Sequence, residues 1–230
     1  MSAIIDMWSQ YSDMFLKAAL TTLLLSLVTV IFALVIGALL SLMKLSLFKP
    51  FKWIANCYVE FIRGTPLLVQ ISLIFYGLPL IGIHIPSVTL FGMDFERLLS
   101  GIIALTINSS AYVCEIIRGG IQSVDTGQTE ASRSLGFGKA STMSLIVMPQ
   151  AIKNILPSLG NEFVSLIKNS SQVSVIGIGE LMYTSDTIRG ISFQPFTPLV
   201  IISIIYFIMT FILSVCVGQI EKALNKSSIR

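Results

Sequence analysis

Two long stretches of the sequence contain no charged residue, and they limit what this chain can fold into. The first covers residues 18–43 and the second covers residues 198–218. At about 1.5 Å of rise per residue, a helix of about 20 residues crosses the roughly 30 Å of hydrocarbon in a bilayer. Hydrophobic residues make up 54% of the chain and charged residues only 12%, so most of its surface does not face water. The sequence therefore predicts an all-α integral membrane protein.

Three further apolar segments complete the predicted set of spans. Residues 54–80 and 98–117 carry their charges mainly near one end, as membrane spans do, and Pro66 predicts a helix start or a kink within the former. Residues 149–175 are a less regular candidate, because a proline and a glycine interrupt them and they contain three charged residues. We therefore predict a single membrane domain over residues 1–230, with five spans at residues 18–43, 54–80, 98–117, 149–175 and 198–218.

The distribution of basic residues predicts the orientation of the chain. With five spans, only Lys17, Arg97 and Arg189 clearly fall on the side opposite to most lysines and arginines. Because cytoplasmic loops are enriched in basic residues, the amino terminus is predicted outside and the carboxyl terminus in the cytoplasm. The net charge of +3 then reflects topology, and it does not indicate a nucleic-acid partner. The basic residues on the predicted cytoplasmic side are Lys44, Lys49, Lys52, Arg63, Arg118, Arg133, Lys139, Lys153, Lys222, Lys226 and Arg230.

The sequence offers no catalytic or metal-binding pattern. The chain has one histidine, and no serine-rich stretch has a histidine partner that could act as its base. The three cysteines are scattered and form no disulfide or metal-binding pattern. The glycine-rich run from Gly136 to Lys139 is followed by Ala140, where a phosphate-binding loop needs serine or threonine. We therefore expect no catalytic residue, metal or cofactor in this chain. Any nucleotide used with it must be bound by another polypeptide.

A polar segment of about 30 residues, 119–148, separates the third and fourth predicted spans on the predicted cytoplasmic side. Good helix formers begin near Glu130, the glycines at Gly136 and Gly138 interrupt them, and helix formers then resume before Pro149. The pattern predicts two short helices joined by a glycine turn. Such a projection either docks a partner or lies along the membrane as an amphipathic connector.

The residues of this segment resemble the EAA loop in the membrane subunits of binding-protein-dependent ABC importers. The resemblance is carried by the run Glu130-Ala131-Ser132, by Gly136, and by the run from Ile146 to Pro149. Ser132 stands where a second alanine is usual in that loop, and Met148 stands where leucine is common. In that family the loop forms a coupling helix that seats in a groove of the ATPase subunit. The resemblance implies the same role here for Glu130, Ala131, Ser132, Gly136, Ile146 and Pro149.

Three other motifs are similar to the polar amino acid uptake branch of these importers. They lie at residues 60–70, 108–120 and 159–163, in the expected order. The resemblance implies a type I ABC importer permease fold in the bacterial inner membrane. It also implies three partners: an ATPase dimer that binds ATP and Mg²⁺, a second permease subunit that is identical or homologous, and an extracellular amino acid binding protein.

Polar residues on the predicted spans form a candidate substrate site. Glu162, Ser165 and Asn169 follow at intervals of three and four, which places them on one helical face. A carboxylate at bilayer depth costs roughly 2.5 to 3.5 kcal/mol, so Glu162 should face either a substrate ammonium or a basic residue of a neighbouring span. In related permeases the segment matching residues 162–170 lines the substrate cavity. The candidate contacts are Glu162, Ser165, Asn169, Ser170, Asn108 and Gln70.

The predicted function is ATP-driven import of a polar amino acid by alternating access. Asn169 stands where aspartate is usual in the family. The loss of this carboxylate favours a neutral substrate such as glutamine or cystine, although arginine and histidine stay open. Two other functions also stay open. One is an ion-coupled secondary transporter or channel in which Glu162 carries a proton or sodium ion, and the other is a membrane scaffold without transport.

Overall fold

Apolar helices dominate the computed structural model, which describes residues 2–90 and 93–226. Arg230, counted above among the basic residues, lies outside these ranges. Within them, strands β1 (Thr89–Leu90) and β2 (Met93–Asp94) form a short antiparallel hairpin. The α-helices of the described part are α1 (Ser2–Leu45), α2 (Lys49–Gly64), α3 (Leu67–Leu80), α4 (Phe95–Gln122), α5 (Thr126–Ser134), α6 (Lys139–Thr142), α7 (Met148–Asn169), α8 (Leu181–Ser192) and α9 (Thr197–Lys226).

Three predicted spans are single helices. By length and composition, α1, α4 and α9 are each long and apolar enough to cross a membrane. All three extend beyond the predicted limits, because an α-helix can continue past the apolar segment into residues that carry charges. At the start of α1, for example, Lys17 forms an ion pair with Asp13 at 2.7 Å.

The second predicted span is broken where Pro66 predicts a kink. Helices α2 and α3 meet at an angle of 107°, and only together are they long and apolar enough to cross a membrane. Both Thr65 and Pro66 have extended backbone, and proline has no N–H with which to continue the helix. We call this break the α2–α3 elbow. The pair forms either a broken span or a re-entrant segment, so its crossing of the membrane stays a prediction.

The fourth predicted span ends as an α-helix earlier than residue 175. Helix α7 passes without a break through Pro157, ends at Asn169 and continues as a 3-10 helix, Ser170–Ile176. It is not among the helices of the described part that are apolar enough to cross a membrane alone, so its crossing also stays a prediction. Gly160 lets α9 approach closely, because a Cβ atom there would lie 2.5 Å from Cγ2 of Val217.

Two elements on the predicted outer side have no counterpart among the sequence predictions. One is the hairpin of β1 and β2, and the other is α8, which packs against α1 and α9. Helix α8 begins after Glu180, whose carboxylate accepts hydrogen bonds from the backbone N–H groups of Met182 and Tyr183. Side-chain capping of this kind satisfies amide groups that have no partner within the helix.

Buried apolar residues hold the bundle together in two main clusters. The first joins α1, α3, α4 and α7 through residues such as Ile71, Leu105 and Leu166. The second joins α1, α8 and α9, and its members Phe15 and Ile188 are completely buried. In the first cluster, α4 and α7 contact each other directly. These two helices carry most of the candidate site.

Candidate functional site

Glu162 lies on α7 with its side chain turned toward α4. Its Oε1 atom accepts a hydrogen bond from Oγ of Ser109 at 2.8 Å. The partner that the structure shows for Glu162 is therefore a hydroxyl group of the neighbouring helix. A carboxylate accepts about four hydrogen bonds in all, so Glu162 retains capacity for an ammonium group.

The other candidate residues on this segment differ in how their side chains are engaged. Ser165 and Asn169 are half-buried on α7, at the predicted helical spacing from Glu162. Ser170 begins the 3-10 helix, is completely buried and donates to the carbonyl oxygen of Ile167 at 2.8 Å. Contact of these three residues with a substrate stays a prediction, and for Ser170 it requires a change in an existing hydrogen bond.

Gln70 serves the α2–α3 elbow. Its Nε2 atom lies 2.8 Å from the carbonyl oxygen of Ile62, 3.1 Å from that of Thr65 and 2.8 Å from Oγ1 of Thr65. In an uninterrupted helix, the oxygen of Ile62 would accept from the N–H of residue 66, which is proline here. The side-chain amide of Gln70 therefore replaces the missing donor. This arrangement was not predicted from the sequence, which suggested only a substrate contact for Gln70.

Asn108 connects the elbow to α4. Its Nδ2 atom donates to Oε1 of Gln70 at 2.9 Å, and the two side chains are only 7% and 6% exposed. The next residue on α4, Ser109, holds Glu162. Hydrogen bonds thus join three polar side chains at the elbow and two at Glu162, and the two groups meet at the adjacent residues Asn108 and Ser109 of α4. We call the five residues the polar chain: Thr65, Gln70, Asn108, Ser109 and Glu162.

The predicted cytoplasmic end of α4 carries a second charged group. Glu115 pairs with Arg118 of the same helix at 2.6 Å and with Lys44 of α1 at 2.5 Å. Beside it lies a cavity of about 320 Å³ between α4 and α7, lined by residues that include Ser123 and Asn154. Lys44 and Arg118 therefore neutralise the negative charge of Glu115. Of the two carboxylates, Glu162 is the better placed to bind a cationic group of a substrate, because its partner is an uncharged hydroxyl.

The loop 119–148 contains the predicted pair of short helices. Helix α5 ends in a turn where Gly136 has a φ of +88°, a conformation that glycine adopts without strain. The N–H of Phe137 donates to the carbonyl of Ser132 at 3.2 Å and closes this turn. The chain then forms α6 and a π-helical turn, Met143–Val147, that leads directly into α7. The prediction of two helices joined by a glycine turn is confirmed.

The residues predicted to couple this loop to a partner fall into two groups. Glu130, Ala131, Gly136 and Pro149 are exposed, whereas Ile146 is half-buried. Ser132 is buried, and its Oγ lies 3.0 Å from Oγ1 of Thr142, which is also buried. The hydroxyl that stands where the related loops usually have alanine therefore joins α5 to α6. Contact of these residues with a partner stays a prediction.

A second buried carboxylate was missed by the sequence reasoning. Glu180 is completely buried, and Tyr206 of α9 donates a hydrogen bond to it at 2.8 Å. The N–H of Leu181 donates to Oγ1 of Thr22 on α1 at 3.3 Å. Burial raises the pKa of Glu180 to about 7, although its hydrogen bonds act in the opposite direction. The two nearby glycines before Glu180 were the available sequence signal for a turn that leads into a capped helix.

Comparisons with known proteins agree with this architecture. Residues 33–227 match the family described as the inner membrane component of binding-protein-dependent transport systems. The probable glutamine ABC transporter permease protein GlnM of Bacillus subtilis (strain 168) is 38% identical over 226 residues, which cover 98% of each chain. The arginine transport system permease protein ArtQ of the same strain is 37% identical over 212 residues, covering 92% of this chain and 93% of the relative.

Solved structures show the same fold. The crystal structure of an amino acid ABC transporter with histidines is 44% identical in sequence, with a TM-score of 0.88, and the match covers 96% of this chain and 98% of the other. The inward-facing methionine transporter MetNI is 17% identical with a TM-score of 0.71 over 94% of this chain, a likeness of fold alone. The chain therefore belongs to the inner membrane components of binding-protein-dependent transport systems, as a permease subunit with the type I ABC importer fold and not as an enzyme.

Proposed function

We propose that this chain is the permease subunit of an ATP-driven importer that moves a polar amino acid into the cytoplasm by alternating access. The observation that carries the proposal is Glu162, a carboxylate between two bundle helices whose partner is a serine hydroxyl. A carboxylate in this position favours a cationic group, and every amino acid carries an ammonium. Relatives named for glutamine and arginine transport support this class of substrate.

Glutamine- or cystine-like substrates are preferred within this class. Asn169 shares a helical face with Glu162 and carries no charge. The site therefore has one carboxylate fewer than a permease with the usual aspartate at this position, and it attracts a cationic side chain less strongly. Glu162 would then bind the ammonium of the substrate, with Ser165, Ser170 and Asn108 nearby. Arginine and histidine remain candidates to be tested in the same assay.

The proposed assembly has the partners of a complete ABC importer. Two permease subunits, identical or homologous, enclose the path, and an extracellular binding protein delivers the amino acid. A dimeric ATPase that binds ATP and Mg²⁺ docks on the exposed residues of the loop 119–148, which acts as the coupling loop. ATP binding closes the ATPase dimer and opens the site outward, and hydrolysis resets it. The amino terminus lies outside the bacterial inner membrane and the carboxyl terminus lies inside.

Uptake into vesicles tests the proposal. The permease, its ATPase and its binding protein are reconstituted with enclosed ATP, and uptake of labelled glutamine is measured in competition with cystine, arginine and histidine. We expect uptake that stops with vanadate and survives a protonophore. Glu162→Gln should raise the KM about tenfold or more, because a charge-assisted hydrogen bond is lost. Glu221→Gln, which changes an exposed carboxylate on α9, is the matched control.

The opposite inhibitor pattern would favour an ion-coupled transporter in which Glu162 carries a proton or sodium ion. Normal uptake by Glu162→Gln would remove this residue from the mechanism. The role of the coupling loop is tested separately, because Glu130→Arg should reduce copurification of the ATPase while the permease still folds. Uptake without any copurifying ATPase would contradict the proposed energy source.

A further inference from the structure

The α2–α3 elbow lacks a hydrogen-bond donor that a continuous helix would supply. In a continuous helix the carbonyl of Ile62 would accept from the N–H of residue 66, but residue 66 is proline, and the Nε2 atom of Gln70 donates to this carbonyl instead at 2.8 Å. The same amide also reaches the carbonyl and hydroxyl oxygens of Thr65. Both N–H bonds of Gln70 are thereby directed toward the elbow, and its oxygen points away from it.

That remaining oxygen is bound by α4. Oε1 of Gln70 accepts from Nδ2 of Asn108 at 2.9 Å, in a contact where both side chains are buried. A buried amide that loses its partner retains the full desolvation penalty, so the two groups resist separation. The bond therefore limits how far α4 can rotate about its axis relative to the elbow.

Rotation of α4 also determines where Ser109 points. Successive residues of an α-helix are about 100° apart around the axis, so Asn108 can face α3 while Ser109 faces α7. Ser109 donates to Glu162 at 2.8 Å. A change in the rotation of α4 that breaks the bond of Asn108 would therefore also move the donor that holds Glu162.

We propose that Gln70 and Asn108 are positioning residues for the carboxylate of Glu162, through which the geometry of the α2–α3 elbow sets the affinity of the permease for its substrate. This inference rests on the proposed function, in which Glu162 binds the substrate ammonium. It assigns the polar atoms of Gln70 to the elbow and to Asn108, and it assigns the direct contact with substrate to Glu162.

The test measures two quantities for each variant of the reconstituted transporter: the KM for uptake and the melting temperature. The substrate is whichever of glutamine, cystine, arginine and histidine the wild type takes up fastest. Asn108→Leu, Gln70→Leu and Ser109→Ala should each raise the KM several-fold, with a smaller change in maximal rate. The double variant Asn108→Leu/Ser109→Ala should be no worse in KM than Ser109→Ala, because both changes act through the same hydrogen bond.

Thr106→Val is the matched control, since Thr106 lies on the same helix, is buried, and its hydroxyl lacks a partner among the described residues. It should leave the KM unchanged. If the leucine variants do not fold, Asn108→Ser and Thr65→Val make smaller changes in the polar chain and should raise the KM less. Lower melting temperatures with an unchanged KM in these variants would overturn the proposal.

The outcome separates this inference from the proposed function. If Glu162→Gln and Ser109→Ala raise the KM but changes at Gln70 and Asn108 do not, the positioning role fails and the transport function stands. If Glu162→Gln itself leaves the KM unchanged, the proposed function fails at its central residue. Additive effects of Asn108→Leu and Ser109→Ala would also contradict the inference, because they would show independent actions.

Discussion

Single hydroxyl and carboxyl groups have roles in this protein that depend on what lies opposite them. Ser132 stands at a position where alanine is usual in related loops, and its hydroxyl pairs with that of Thr142 inside the loop. By contrast, the hydroxyl of Ser134, two residues later, donates back to the carbonyl of Glu130 in its own helix at 3.0 Å. The two serines look alike in the sequence, yet only Ser132 joins two elements.

Removal of the Ser132 hydroxyl should therefore weaken the coupling loop. Ser132→Ala leaves Thr142 buried without its partner, which costs about 1 to 3 kcal/mol. Adding Thr142→Val removes the second hydroxyl and should restore most of the loss, because no unsatisfied group remains. Limited proteolysis of the loop and ATPase copurification measure the effect, with Ser134→Ala as the control. Equal protease resistance of Ser132→Ala and the wild type would contradict this interpretation.

Glu180 predicts a pH dependence of stability. Its pKa of about 7 in the folded protein lies above the ordinary value of 4.5, so the folded state holds a proton that the unfolded state releases. This contribution is complete below about pH 4.5 and is lost as the pH rises through about 7. Tyr206 and Asp186 are the titratable groups that act on it. The purified protein should lose melting temperature relative to Glu180→Gln between pH 5 and pH 8.

The comparison with Glu180→Gln isolates this group from every other titration. Glu221→Gln, which changes an exposed carboxylate, should follow the wild type throughout the same range. If the melting temperatures of the wild type and Glu180→Gln change in parallel with pH, the pKa of Glu180 is not raised on folding, and this prediction is wrong.

At the scale of elements, close contact between helices depends on particular glycines. Gly160 lies in α7 opposite Val217 of α9, where a Cβ atom would come within 2.5 Å of a methyl group. Alanine is favoured over glycine within a helix by about 1 kcal/mol, but overpacking costs about 1 to 3 kcal/mol. The steric effect should therefore prevail, and Gly160→Ala should destabilise the contact of α7 with α9.

A compensating change provides the control for this prediction. Gly160→Ala/Val217→Ala removes the two methyl groups that would collide and should recover part of the melting temperature. Gly190→Ala, in α8, meets no atom within 4 Å and should not reduce the melting temperature through packing. A reduced melting temperature in Gly190→Ala equal to that of Gly160→Ala would show that packing is not the cause.

For the whole molecule, the arrangement of helices relates the polar interior to the membrane. The apolar helices α1, α4 and α9 meet the requirement for crossing a membrane, whereas α7 carries Glu162 and packs against α4 and α9. The contact of α7 with α4 gives the carboxylate of Glu162 a protein partner, the hydroxyl of Ser109, as expected for a charged group at bilayer depth.

The proposed orientation predicts labelling from opposite sides. In a background in which Cys57, Cys114 and Cys216 are replaced by alanine, Thr187→Cys on α8 should react with an impermeant thiol reagent from outside. Ser141→Cys in the coupling loop should react only from the cytoplasmic side. Both positions are exposed, so a lack of reaction would not follow from burial. Labelling of both positions from one side would contradict the proposed topology.

The sequence by itself determined the class of molecule, the main apolar segments and the helical structure of the loop 119–148. Long uncharged runs, glycine turns and helix periodicity act over neighbouring residues, so they are legible without knowledge of the fold. Residue spacing also placed Glu162, Ser165 and Asn169 on one face of α7, where the structure has them.

Only the tertiary structure decided which polar groups meet. Gln70 and Asn108 are 38 positions apart, and Ser109 and Glu162 are 53 apart, so no local pattern links them. The burial of Glu180 likewise depends on α1, α8 and α9 packing around it. The partner of a side chain in a membrane bundle depends on how the helices are rotated and packed against one another. Contacts between residues far apart in the sequence determine that packing.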